Sequence, residues 1–362
     1  MKKLSTAKAL LIGLASLASI YSCKKDHQGS QQRFDISQTN LVADTAGYGA
    51  AKIDPALVNA WGIAVNPTGI IWISANHTAS STVYDKTGQT LRPPVTIPSV
   101  AAGDAGAPTG IVFNGSTDFG GNKFIFSGED GVITAWAGGN AAVKVADRSA
   151  SDAVYKGLAI ATDAGASFLY AANFKGGKID VFDKNFNYVT TKPFADASIP
   201  AGFGPFNIQN IGGMLYVTYA KLKGPDNEDD EAGPGNGYVN IFKPDGTLVS
   251  RFASKGTLNS PWGITHAPAG FAGNAETILV GNFGDGRINV FDLHGNFKGQ
   301  LQNNGSLIRI EGLWAIDFLN PNATNTDPLY FTAGPLDESH GLFGVLKSSI
   351  NPGNSMGNSS GY

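Results

Sequence analysis

Four polar side chains occur at corresponding points of a pattern that the sequence repeats about every 50 residues. They are Asn76, Glu129, Asn173 and Asn282. Amide and carboxylate oxygens are the ligands that Ca²⁺ and Mg²⁺ prefer. If the repeats form a ring, these side chains converge near its axis as a candidate divalent-metal site. The alternative is that each one caps a tight turn in its own repeat, because Asn side chains bond to nearby backbone groups.

An acidic run supplies a second candidate, with five carboxylates in the six residues Asp226 to Glu231. Carboxylates this dense repel one another unless a cation or solvent intervenes. We predict a candidate Ca²⁺ loop in a calcium-stabilised structural module, with Asp226, Asp229, Asp230 and Glu231 as ligands. The run lacks the EF-hand pattern, so a solvated loop on the rim is the alternative.

Three tryptophans share one position of the repeat, namely Trp61, Trp262 and Trp314. The position begins the innermost strand, so the rings are candidates to line a central channel and to stack on sugars or other flat ligands. Core packing is the alternative. Trp72 and Trp136 lie in later strands and are predicted to be core residues.

Three histidines lie near predicted strand ends, namely His77, His266 and His340. Their places within the repeat differ, which favours separate histidines over a shared site, and His77 stays a candidate at the channel mouth. The sequence has no G-x-S-x-G, no phosphate-binding loop and no zinc spacing. Nothing therefore specifies a catalytic residue.

The repeat itself predicts the fold. Its phrase occurs at Trp61-Gly62-Ile63, Thr109-Gly110-Ile111, Lys156-Gly157-Leu158, Phe206-Asn207-Ile208, Trp262-Gly263-Ile264 and Trp314-Ala315-Ile316. Each phrase is followed by β-rich runs with turn residues between them. Four strands in about 50 residues match one blade, so the six copies predict an all-β, six-bladed β-propeller. The second residue of the phrase is Gly or Asn in the first five copies, and Ala315 in the sixth breaks this pattern. The exception indicates close packing of a small residue, rather than positive φ, as the reason for glycine.

The ring is predicted to close through the two ends of the repeat region. The last repeat ends after its third strand near 341–347, and the segment 34–43 precedes the first repeat as an orphan fourth strand. Pairing them would complete the last blade and cover an open edge. We therefore predict a propeller over 34–350 and a disordered tail over 351–362.

The phrases resemble NHL-repeat propellers, whose units read roughly P-x-G-I-A, Y-V-A-D/N and I-x-V-F-D. The whole chain also resembles an uncharacterised family of exported bacterial six-bladed propellers. Two regions carry this resemblance, namely 59–64 and 215–221, the second together with the acidic stretch and the segment 233–237 that follow it. That family implies the fold and no activity. In gluconolactonase-like propellers, a similar set of Glu, Asn and Asp holds a divalent cation that polarises a lactone carbonyl.

The N-terminus predicts export. Lys2, Lys3 and Lys8 precede an apolar run over 9–20, which is too short to span a bilayer and typical of a signal peptide. Cys23, the only cysteine, follows this run and resembles the lipidated residue of a bacterial lipobox, which implies a signal peptide over 1–22. Residues 23–33 are then the lipidated Cys and a flexible tether. The predicted location is the bacterial cell envelope, on the periplasmic face or the cell surface.

Composition limits the classes of partner. The chain has 362 residues, 42% of them hydrophobic and 15% charged, with a net charge of −3, which excludes a disordered chain and a nucleic-acid binder. We predict a monomer that acts as a binding scaffold for a protein, peptide or glycan. The alternative is a hydrolase or lyase that uses Ca²⁺ or Mg²⁺ at the channel mouth.

Overall fold

Small antiparallel sheets follow one another along the chain in the computed structural model, which describes residues 36–320 and 322–348. The predicted signal peptide, Cys23, the tether and the tail lie outside these residues. In the described part, no helix is long and apolar enough to cross a membrane.

Five blades are built from consecutive strands. Blade 1 contains β3 (Ala60–Val65), β4 (Ile71–Ala75), β5 (Ser80–Tyr84) and β6 (Val95–Thr96). Blade 2 contains β7 (Pro108–Phe113), β8 (Phe124–Gly128), β9 (Val132–Trp136) and β10 (Val143–Asp147). Blade 3 contains β11 (Tyr155–Asp163), β12 (Ala166–Asn173), β13 (Lys178–Asp183) and β14 (Tyr188–Val189). Blade 4 contains β15 (Phe203–Ile211), β16 (Met214–Lys221), β17 (Gly237–Phe242) and β18 (Leu248–Ser254). Blade 5 contains β19 (Pro261–Ala267), β20 (Thr277–Asn282), β21 (Ile288–Phe291) and β22 (Phe297–Gln300).

Blade 6 joins both ends of the described chain, as predicted. Its inner strands are β25 (Leu313–Asp317), β26 (Leu329–Ala333) and β27 (Leu342–Ser348), and its next strand is β1 (Ile36–Ala43). β1 and β27 are antiparallel, with Ile36 opposite Ser348 and Ala43 opposite Leu342. The chain is therefore an all-β, six-bladed β-propeller whose ring is closed by its N-terminal strand.

Two short elements are additions to the predicted pattern. β2 (Lys52–Ile53) adds a parallel fifth strand outside β1, and β23 (Gln302–Asn303) pairs with β24 (Ser306–Leu307) between blades 5 and 6. Each strand has two residues, which is too short for a period in the sequence. Three single 3₁₀ turns complete the described secondary structure, at Asn76–Thr78, Phe119–Gly121 and Ser149–Ser151.

The third strands are more deeply buried than their sequence pattern indicates. Their apolar and polar residues alternate, which is typical of a sheet with one face packed more tightly than the other. In β13 both faces are buried, because each blade lies between two others. The polar Asp180 is 1% exposed and accepts hydrogen bonds from Tyr155 Oη, Tyr188 Oη and Asn173 Nδ2, each at 3.0 Å.

Close approach of neighbouring inner strands explains the small residue of the repeated phrase. A Cβ on Gly110 would lie 2.7 Å from the carbonyl carbon of Gly157, and one on Gly157 would lie 2.7 Å from the Cα of Asn207. Positive φ is not the cause at these positions, which agrees with the inference from Ala315.

We expect Gly110→Ala to lower the free energy of unfolding by about 1–3 kcal/mol, because the added methyl group meets backbone atoms that cannot rotate away. Gly138→Ala is the matched control, since a Cβ at Gly138 meets no atom within 4 Å. Thermal melting of both variants measures the effect. Equal melting temperatures would contradict the close-packing explanation.

Candidate functional site

The first residues of the repeated phrase surround the propeller axis at one end, which we call the mouth. In blade order they are Trp61, Thr109, Lys156, Phe206, Trp262 and Trp314. The second strands of the blades end at the same face, so the loops that follow them also reach the mouth. Four aromatic rings, one hydroxyl and one ammonium group therefore share six equivalent positions.

The aromatic members cluster across the axis at the mouth and form what we call the axial plug, together with Phe174 and Phe283. Trp314 lies at its centre. Its ring stacks on Trp61 with centroids 3.7 Å apart and on Phe283 at 3.9 Å, and the Trp262 ring meets it edge-on at 5.9 Å.

The plug corrects the idea of a channel lined by accessible tryptophan rings. Trp61, Trp262 and Trp314 are 1%, 4% and 1% exposed, because the rings are wide enough to meet across the axis. Their faces pack on one another, so a ligand has no open ring to stack on. Trp72 is a core residue as predicted, whereas Trp136 is only partly buried.

Lys156 brings a buried positive charge to the mouth. Its side chain is 3% exposed, and its Nζ pairs closely with Glu129 Oε1 and lies 3.7 Å from Asp229 Oδ1. The Nζ also lies 5.3 Å from the Trp61 ring centroid. Burial works against the charge, but Glu129 and the other nearby carboxylates outweigh it and raise the pKa of Lys156. The amine therefore stays protonated at neutral pH and is not a nucleophile there.

Amide side chains connect this ion pair to a second carboxylate. Asn76 Nδ2 donates to Glu129 Oε2 at 2.9 Å, and Asn59 Nδ2 donates to Glu338 Oε2 at 2.6 Å. Trp314 Nε1 donates to Asn59 Oδ1 at 2.9 Å and thereby fixes the orientation of that amide. The axial plug thus positions the polar groups above it.

Glu338 is a carboxyl group at the mouth whose pKa lies well above its usual range. Burial, and then the charge of Glu129, raise its pKa from 4.5 to about 7, although Lys156 partly opposes this. Glu338 lies in a turn of three consecutive non-glycine residues with positive φ, at 53°, 50° and 65° for Leu336, Asp337 and Glu338. A left-handed conformation costs roughly 1–2 kcal/mol per residue, and such strain is concentrated at functional sites.

The four predicted metal ligands do not share one site. Asn76 and Glu129 are in contact, but Asn173 and Asn282 bond within their own blades. Asn173 Nδ2 donates to Asp180 at 3.0 Å, and Asn282 Nδ2 donates to the Thr257 carbonyl at 2.8 Å. These two therefore follow the turn-capping alternative.

The residues present do not fit a divalent cation at the mouth. The Lys156 ammonium group already pairs with Glu129, the one carboxylate of the predicted set. Over the residues that the structure describes, no three His, Cys, Asp or Glu side chains are grouped as metal ligands.

Lysines accompany the acidic loop, which we define as residues 226–231. Glu228 pairs with Lys175 Nζ at 2.9 Å, Glu231 with Lys221 Nζ at 2.6 Å, and Asp229 lies near Lys156. Asp226 is exposed. Asp230, unlike its neighbours in the loop, is not paired with a lysine among the described residues. Its Oδ2 is buried without a hydrogen-bond partner in that part of the chain, and burial raises the pKa of its carboxyl group. The loop thus adds carboxylates to the mouth.

The three histidines are held apart. His77 is exposed on the turn after β4, His266 Nε2 lies 3.4 Å from Glu276 at the opposite face, and His340 Nδ1 lies 2.8 Å from Asp44. This agrees with the expectation of separate histidines.

Stability should depend on pH through Glu338. The folded state binds its proton more tightly than the unfolded state does, so stability falls as the pH rises from about 4.5 to about 7. Glu338→Gln stays neutral and should be more stable than the unchanged protein at pH 8 by about 1–2 kcal/mol, allowing for partial exposure. Melting temperatures from pH 5 to pH 8 test this. Glu276→Gln is the control, and parallel curves for Glu338→Gln and the unchanged protein would contradict the prediction.

Sequence reasoning missed Lys156 and Glu338. Lys156 had a usable signal, because it is a charged residue at a repeat position that is aromatic in four other blades. Glu338 had none, since its loop lies outside the aligned strands and reaches the mouth only through the left-handed turn.

Fold and mouth together define the class, a six-bladed β-propeller with an axis closed by aromatic rings below a charged mouth. The chain is 36% identical over 336 residues to uncharacterized protein R648 of Acanthamoeba polyphaga mimivirus. The alignment covers 88% of this chain and 82% of that protein. It is also 36% identical over 333 residues to uncharacterized protein L690 of the same virus, covering 85% of each. The chain belongs to the family that contains these two viral proteins.

Other comparisons add the fold alone. No protein-family model matches the chain. A solved streptogramin B lyase superposes with a TM-score of 0.52 at 13% identity, over 88% of this chain and 99% of that one. The two viral relatives are uncharacterized, and neither is one of the exported bacterial propellers that the sequence resembles. The comparisons therefore support the propeller fold and do not test the predicted export.

Proposed function

We propose that this protein is an exported, lipid-anchored propeller that acts as a binding scaffold at a bacterial cell envelope, and that its mouth binds a cationic group of the partner. The basic N-terminus, the apolar run and Cys23 support the anchor, which would hold the propeller at the periplasmic face or the cell surface. The expected partner is a protein or peptide.

The observation that carries the proposal is the excess of carboxylates over ammonium groups at the mouth. Glu129, Asp229 and Glu338 lie around the ammonium group of Lys156. The Asp229 side chain is 69% exposed and that of Glu129 is 28% exposed, so both can accept further hydrogen bonds. Charge complementarity favours lysine or arginine side chains and disfavours nucleic acid.

Binding of a heptalysine peptide by the folded protein tests the proposal, with heptaglutamate as the peptide control. We expect saturable binding of heptalysine that weakens with salt. The double variant Asp229→Asn, Glu338→Gln should bind about tenfold less tightly, since two lost charge pairs of about 0.7 kcal/mol each amount to about 1.4 kcal/mol.

Glu276→Gln is the matched control, because it removes a carboxylate from the opposite face. An equal loss in this variant would show that the effect is one of net charge and would contradict a binding surface at the mouth. Binding of heptaglutamate, or no binding of heptalysine, would contradict it as well.

A hydrolase or lyase is the second candidate, favoured by Glu338. A carboxyl group with a pKa near 7 suits general acid–base catalysis, and the strained turn holds it beside Lys156 and Asn59. In this role Glu338 would exchange a proton with the substrate, and Lys156 would hold a developing negative charge. Hydrolysis of a panel of lactones and esters, with and without Ca²⁺ or Mg²⁺, tests it. Activity that survives in Glu338→Gln would exclude Glu338 as the acid or base.

A further inference from the structure

A cleft of about 410 Å³ lies between blades 1 and 2, at the face opposite the mouth. The starts of β4 and β8 border it, whereas the ends of these strands lie at the mouth. Trp72 and Phe124 stack there with centroids 4.2 Å apart, and the Trp136 ring lies 4.6 Å from Trp72. Both the volume and the aromatic walls are typical of small-molecule sites.

The charged residues that line the cleft are both cationic, namely Arg92 and Lys123. The Arg92 guanidinium lies 4.9 Å from the Trp136 ring centroid and 5.7 Å from that of Trp72. One of its nitrogens donates to the Gly139 carbonyl at 2.6 Å. Within residues 36–320 and 322–348, neither Arg92 nor Lys123 forms a salt bridge.

This arrangement differs from the cationic sites at Lys156 and Lys175. Lys156 and Lys175 each have two carboxylates within 4 Å, whereas no carboxylate lines the cleft. A guanidinium that lacks an anionic partner can form two parallel hydrogen bonds to a carboxylate, and it can do so while stacked on an aromatic ring. Charge and shape therefore point to the same kind of ligand.

We propose that the cleft binds a small anionic ligand with a flat apolar body. The anionic group, such as a carboxylate, pairs with Arg92 and is attracted by Lys123, and the flat body lies against Trp136 and Leu91. Leu91 is 46% exposed at the edge of the cleft, so it can cover the ligand. The cleft lies on other blades and on the other face than Glu338, so this site is independent of the proposed function at the mouth.

Titration of the folded protein with 2-naphthoate and with its neutral amide, 2-naphthamide, tests the proposal by calorimetry. We expect one saturable site for naphthoate and about tenfold weaker binding of the amide, because a charge-assisted hydrogen bond contributes at least about 1.4 kcal/mol. Arg92→Gln should remove this preference, and Trp136→Ala should weaken the binding of both compounds.

Arg148→Gln is the matched control, since Arg148 also stacks on an aromatic ring, with its guanidinium 4.0 Å from Tyr188 on blade 3. It should bind naphthoate as tightly as the unchanged protein. Melting temperatures within a few degrees of the unchanged protein would show that Arg92→Gln and Trp136→Ala are folded. Equal binding of acid and amide, binding unaffected by Arg92→Gln, or no saturation at millimolar naphthoate would each overturn the proposal.

Discussion

Lys156→Met is expected to lower the free energy of unfolding by about 3–5 kcal/mol, because removing one partner of a buried ion pair leaves the other charge uncompensated. Glu129 would then face Asp229 and Glu338 without the ammonium group between them. For a chain of this size we expect the melting temperature to fall by roughly 10 °C.

Lys175→Met provides the matched control. Lys175 pairs with Asp152 and Glu228, whose side chains are 76% and 51% exposed, so its removal should cost less than about 1 kcal/mol. Similar melting temperatures for the two variants would show that Lys156 is an ordinary surface lysine.

Lys156→Met also tests the hypothesis of a metal site at the mouth. Without the ammonium group, the carboxylates at the mouth resemble an oxygen-rich cation site, so Ca²⁺ or Mg²⁺ should raise the melting temperature of Lys156→Met more than that of the unchanged protein. A large calcium effect on the unchanged protein would instead support the original Ca²⁺ predictions at the mouth or the acidic loop.

Trp314→Ala is the second change with a large expected effect, about 3–5 kcal/mol. The ring is stacked between Trp61 and Phe283 at the centre of the axial plug, so its loss leaves a cavity that neighbouring blades cannot fill without moving. The reduction in melting temperature measures this, and Trp136→Ala should cost less because Trp136 is partly exposed.

Trp314→Phe separates packing from hydrogen bonding. It keeps most of the ring but removes the donor to Asn59 Oδ1, and an unsatisfied buried acceptor costs about 1–3 kcal/mol. Asn59 would also lose its fixed orientation toward Glu338, so the pH dependence of stability should change in this variant. An unchanged pH profile would show that the plug does not position Glu338.

The repeated phrase made the fold predictable. Its spacing identified six blades, and the missing strand of the last repeat predicted the pairing of β1 with β27. The β-rich runs that follow the phrases are strands in the structure, as β26 (Leu329–Ala333) shows for the last blade. Such local patterns suffice because every blade must bury a similar apolar surface against its neighbours.

The candidate site was predictable only in part. Aligning the repeats placed Asn76 and Glu129 together at the mouth, where the two side chains are in contact. It could not distinguish these residues from Asn173 and Asn282, because the choice between a shared site and a local turn depends on side-chain orientation.

The sequence by itself determined the number of blades, the closure of the ring and the face at which the repeated positions meet, since these follow from periodicity and connectivity. Tertiary structure alone decided what occupies the axis. Packing brought Trp61 and Trp314 within stacking distance although they are far apart along the chain, and the left-handed turn placed Glu338 over Asn59. The charge state of Glu338 depends on burial and on neighbouring carboxylates, which are properties of the folded chain.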